Sequence, residues 1–127
     1  MRIIGIGLDA SDIPRIRKTV ERYGERFLHR VFTPGEITYC LRKRDPSESL
    51  AARFSAKEAA MKALGTGHSQ NVLWRDIEVV RGFGAPQLRF HGGAARAFQA
   101  LGASSSHLTI THSDALAIAQ VILIRDE

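Results

Sequence analysis

The chain opens on an almost wholly apolar run, "RIIGIGLD" (2–9), which predicts a buried strand delivering Asp9 at its C-terminal end. The period of the pattern then changes. Ile13, Ile16, Val20 and Tyr23 recur at spacings of three and four, the stripe of an amphipathic helix. Ser11 stands as its N-cap, Pro14 falls in its first turn and Gly24 ends it. "ERFLHRVF" (25–32) reads as a short helical piece. "TPGE" (33–36) is a sharper start signal, with Thr33 at the N-cap, Pro34 at N1 and Glu36 at N3 of a capping box. That helix runs to about Lys43, "RDPSES" breaks it, and Ser47 caps the next, which runs to about Leu64 and stops at Gly65.

The second half alternates differently. "DIEVVR" and "PQLRFH" are strand-like and joined by "GFGA", which predicts a hairpin. "GGAARAFQALGA" is a short helix between glycines. "HLTITHS" alternates as a strand, with Leu108, Ile110 and His112 on one face, and "ALAIAQVILIR" is a long apolar strand. With no repeat and no linker composition, this order predicts one α+β domain over residues 1–127.

The helix over 50–64 breaks its own pattern. On a wheel, Leu50, Phe54, Met61 and Leu64 fall within a narrow arc, and Lys57 lies inside that arc. Arg53 sits on one flank; Glu58 and Lys62 sit together on the other, one turn apart, at the spacing of a surface ion pair. A buried ammonium costs several kcal/mol unless an anion meets it, so the stripe is expected to face a cleft at Lys57. Asp9, at the end of a buried strand, is a second acid placed where ligands bind. Were Asp9 and Glu58 to meet, two carboxylates beside cationic groups would suit magnesium, which takes one or two carboxylates, waters and phosphates.

Charge sharpens this picture. The net charge is +5, and residues 15–44 hold nine Arg/Lys against three acids, so this segment alone carries +6. Such a field attracts a polyanion or an acidic protein. A basic, non-catalytic nucleic-acid-binding module is the alternative reading, but the aromatics are sparse and not interleaved with the basic residues. No run of about 18 apolar residues predicts a membrane-spanning helix. The N-terminus reads as a strand rather than a signal peptide, and the single Cys40 fits a reducing cytoplasm.

Five motifs occur in one order along nearly the whole chain: "GIGLD" (5–9) followed by Arg15, "RVFTPGE" (30–36), "RFSAKEAAMKALGTG" (53–67), "DIEV" (76–79) and "LTITHS" (108–113). In these the chain resembles the holo-[acyl-carrier-protein] synthases, the small bacterial 4′-phosphopantetheinyl transferases. The resemblance implies that family's fold, antiparallel strands packed against a long central helix. It implies transfer of the 4′-phosphopantetheine group of coenzyme A to a serine of apo-acyl carrier protein, as in fatty acid biosynthesis. It also implies a magnesium requirement. Asp9 and Glu58 then correspond to the metal ligands, and with Lys62 to the catalytic set; Arg53, Lys57 and His112 correspond to coenzyme A-binding positions. Arg15 and Arg26 match basic positions that dock the acidic carrier protein. The family's usual assembly, a homotrimer with active sites between neighbouring subunits, is expected as well.

Overall fold

The leading apolar run becomes β1 (Arg2–Asp12), three residues longer than its sequence pattern indicates. The computed structural model describes all of residues 1–127. Because β1 continues through Ser11, the N-cap of α1 (Ile13–Tyr23) is Asp12, whose carboxylate accepts from the Arg15 backbone N–H at 3.0 Å. Ser11 turns inward instead. Gly24 separates α1 from α2 (Glu25–Val31), and the Thr33–Glu36 capping box starts α3 (Pro34–Leu41) as expected. The central helix α4 (Ser47–Leu64) begins one residue before the predicted first turn: Ser47 is already helical, and Asp45 caps it by accepting from the Ser47 N–H at 3.0 Å. Gly65 ends α4 in the left-handed conformation.

A 3-10 turn (Trp74–Asp76), absent from the sequence pattern, leads into the hairpin of β2 (Ile77–Val80) and β3 (Gln87–Phe90). α5 (Gly92–Ala100) follows, then β4 (Ser105–His112) and β5 (Leu116–Arg125). The main sheet is antiparallel in the order β1-β5-β4, with Asp9 opposite Ala119 and His112 opposite Ala117. The β2-β3 hairpin is a separate two-stranded sheet.

Two apolar clusters share α4. One gathers its C-terminal half with β2, β5 and α5 around Met61, Ile77, Val121 and Leu123. The other gathers its N-terminal half with α1, α2 and α3 around Ile13, Val31, Phe32 and Leu50. α4 is therefore enclosed on almost every side: Ala51, Ala52, Ala56, Ala59, Ala60 and Ala63 are all buried. Its small residues let neighbouring elements approach closely all round, so a single packing stripe does not exist. The outer face of the sheet is different. Ile3, Ile6 and Leu8 on β1 and Leu116 on β5 are 42–58% exposed, an open apolar surface on an otherwise well-packed domain.

Candidate active site

The glycines of "GIGLD" act first. A Cβ at Gly7 would collide with the Ala59 carbonyl, and one at Gly5 with that of Ala63. Without side chains there, β1 lies directly on α4 and brings Asp9 to the helix surface. Lys62 reaches across from α4 and donates to the Leu8 carbonyl at 2.8 Å and to Asp9 Oδ1 at 3.3 Å. The other Asp9 oxygen is 3.4 Å from the Ser11 hydroxyl, which accepts in turn from Ser55 Oγ at 2.6 Å. Asp9 is thus fixed from both sides while remaining partly open.

Glu58 lies one turn before Lys62, yet the expected helical ion pair is not formed. Lys62 is committed to β1, and Glu58 Oε2 instead sits 3.3 Å from His68 Nε2 in the turn after α4. Lys62 thus touches Asp9 and lies one helical turn from Glu58, two partly exposed carboxylates on rigid elements. The pair of oxygen donors fits magnesium, which completes its shell with water and substrate phosphate rather than a protein cage.

Lys57 does not open to a cleft, contrary to the expectation that it binds coenzyme A. Its side chain is wholly buried, with Glu36 Oε1 2.6 Å from the ammonium. The carbonyls of Trp74 and Ile77 accept its other protons. Burial pushes the lysine below its usual pKa, and Glu36 pulls it back up. The anion demanded by a buried ammonium is thus internal. Glu36 does more than the capping its sequence position predicts: it accepts from the Thr33 N–H, accepts from the Val79 N–H at 3.0 Å and neutralises Lys57 at once. The sequence signal was present in the unanswered charge on Lys57, but Glu36 is 21 residues away.

Arg53 and His112 meet on another face. They line a cavity of about 390 Å³ with Lys43, Arg81, Tyr39 and Glu48. Arg53 is only 4% exposed, stacks over the Tyr39 ring at 4.4 Å and leaves its Nε without a hydrogen-bond partner. Arg53 makes no ion pair although Asp45 and Glu48 line the same cavity, which leaves its guanidinium free to meet an entering anion. His112 is 3.7 Å from Glu48 across the same cavity. Nine residues separate Arg53 from Lys62, about 180° around α4, so the two clusters face opposite ways.

Arg15 borders a groove that begins at Asp9 and is floored by Ile16, Phe27 and Phe54. An adjoining groove shares Thr19, Phe27 and Phe54 and continues between Arg26, Arg30 and Trp74. The basic α1–α2 surface thus leads along an apolar floor to Asp9. Trp74 reads in the sequence simply as a core or strand-edge aromatic and His68 carries no signal at all; both matter through contacts across the fold.

Known proteins share this fold. The model of the 4′-phosphopantetheinyl transferase superfamily matches residues 5–119. The holo-[acyl-carrier-protein] synthase of Koribacter versatilis is 49% identical over 122 residues, which cover 95% of this chain and 98% of that protein. The crystal structure of the synthase from Neisseria meningitidis superposes with a TM-score of 0.89 at 30% identity, covering 98% of this chain and all of that one. The Helicobacter pylori synthase, solved in complex with coenzyme A, superposes with a TM-score of 0.82 at 32% identity, covering 94% and 99%.

Proposed function

The chain belongs to the 4′-phosphopantetheinyl transferase superfamily, and from that premise we propose how its residues divide the work. The protein is a holo-[acyl-carrier-protein] synthase in activity: it transfers the 4′-phosphopantetheine group of coenzyme A to a serine of apo-acyl carrier protein and releases adenosine 3′,5′-bisphosphate. The observation that carries the assignment of roles is the Asp9–Lys62 contact at the edge of β1 and α4, beside Glu58. Nothing in the fold or among the relatives supports the nucleic-acid-binding alternative.

Asp9 and Glu58 would hold Mg²⁺, which supplies charge neutralisation on the pyrophosphate when bound. Phosphoryl transfer depends on positioning and on neutralising the leaving group. Lys62, held by the Leu8 carbonyl and Asp9, keeps its ammonium where that charge develops. A carboxylate at this edge, Glu58 first, is the group within reach of the serine proton. Arg53 and His112, in their own cavity, receive an anionic part of coenzyme A; the unpaired Arg53 Nε supports this. Arg15 and Arg26 dock the acidic carrier along the groove that ends at Asp9.

The opposed faces of the two clusters support an active site shared between subunits of a homotrimer. So does the exposed apolar face of Ile3, Ile6, Leu8 and Leu116. No helix is long and apolar enough to cross a membrane; a cytoplasmic enzyme of fatty acid biosynthesis is the reading that fits the chemistry.

Incubation with apo-acyl carrier protein, coenzyme A and magnesium tests the activity. The carrier gains the mass of phosphopantetheine; no gain beside an active control enzyme overturns the reading. Asp9→Ala and Glu58→Ala each abolish turnover with the fold retained, and near-normal rates for either in excess magnesium refute the ligand roles.

A further inference from the structure

Glu58 takes its side-chain partner from outside its own motif. His68 Nε2 stands 3.3 Å from Glu58 Oε2, although the two are ten residues apart and α4 has already ended between them. The chain returns to Glu58 because the turn after α4 folds back. Gly65 and Gly67 both take positive φ, a conformation that glycine adopts without a Cβ clash. The N–H groups of Gly65 and Thr66 donate back to the Met61 carbonyl, and the Ser69 N–H and hydroxyl both reach the Thr66 carbonyl.

The ring itself is held. His68 packs edge-on against Trp74 with centroids 4.1 Å apart, and Phe54 lies on Trp74 at 6.2 Å. The Trp74 carbonyl accepts from Lys57 at 3.2 Å, which ties the indole's backbone to the buried Lys57–Glu36 pair. A solvated surface pair is weak because two long side chains must be ordered to form it. Here the imidazole is ordered by its turn and by Trp74, so little further ordering is needed.

We infer that His68 is a positioning residue: its Nε2, 3.3 Å from Glu58 Oε2, restricts where that carboxylate can turn, one helical turn from Lys62. This rests on the reading of Glu58 as a metal ligand. Neighbours that orient a ligating group typically matter by about 10–100-fold in metal affinity. His68 is thus a specific support for the site, supplied by the "GTG" turn and an aromatic neighbour.

The test measures binding of Mn²⁺, a paramagnetic substitute for Mg²⁺, to the protein with coenzyme A present and the carrier absent, by electron paramagnetic resonance. His68→Phe keeps a ring against Trp74 and removes the ring nitrogen that faces Glu58. It is expected to weaken Mn²⁺ binding by roughly tenfold and to raise the magnesium concentration needed for half-maximal rate by a similar factor, with a smaller fall in kcat. His68→Gln keeps a polar nitrogen at that position and restores most of the affinity. Wild-type Mn²⁺ affinity in His68→Phe, tighter binding, or equal loss in His68→Gln overturns the inference. Glu58→Gln separates the two readings. If it leaves Mn²⁺ binding unchanged, Glu58 is not a ligand; if it abolishes binding while His68→Phe does not weaken it, only the role of His68 fails.

Discussion

A buried ammonium is tolerated at Lys57 because three oxygens meet it, from α3, the 3-10 turn and β2. That makes the residue a staple between elements rather than a ligand for substrate. Removing one partner of a buried pair strands the other, which costs about 3–5 kcal/mol. Lys57→Ala is accordingly expected to lower the urea midpoint strongly, because Glu36 is left buried; a change equivalent to less than about 1 kcal/mol, the scale of an exposed pair, would contradict it. Glu78 gives a second residue-level outcome. Burial raises its pKa, but hydrogen bonds from His91 and Thr33 outweigh this and hold the carboxyl below the usual range. Folding then favours the ionised form. The stability this supplies is complete above the unfolded value near 4.5 and is lost as pH falls through the folded value. Glu78→Gln should therefore flatten the fall in urea midpoint below about pH 4.5, and an unchanged slope would show that Glu78 is not part of the acid transition.

At the level of elements, the β1–α4 contact sets the site. Gly7 has no room for a methyl group, since the Ala59 carbonyl occupies that space. Gly7→Ala must push β1 off the helix, a strain of about 1–3 kcal/mol or more. It should reduce kcat beyond what the lowered melting temperature explains, because Asp9 moves away from Lys62; normal kcat in a folded variant would show that close approach is not needed. Local signals such as "TPGE" and Gly65 were legible because caps and stops are decided within a few residues. The wheel failed for α4 because it assumes one buried face, and alanines bury this helix on nearly all of them. The partners Glu36 and His68 were not legible for a different reason. Each is brought to α4 by a turn or a layer whose geometry the linear pattern does not carry.

At the scale of the whole molecule, the proposed site residues fall into two clusters on opposite sides of α4, the two halves that the proposed homotrimer would join. Asp9, Glu58 and Lys62 form one; Arg53 and His112 form the other. An assembly that brings the first half of one copy to the second half of its neighbour completes both, and the open apolar face of the sheet gives such copies a surface to bury. Ile6→Lys, in the middle of that face opposite Ile122, should yield folded monomers by sedimentation and little activity. A fully active monomer would contradict a shared site. Complementation reads the same geometry without disturbing the interface. Asp9→Ala and Arg53→Ala should each be inactive or nearly so alone. Unfolded together and refolded as a mixture, they restore sites in which the Arg53→Ala copy contributes Asp9 and the Asp9→Ala copy contributes Arg53. In an equal random mixture of a cyclic assembly about one site in four is intact, so recovery should approach a quarter of wild-type activity. Were both halves used within one protomer, every site would carry a defect and mixing would recover nothing.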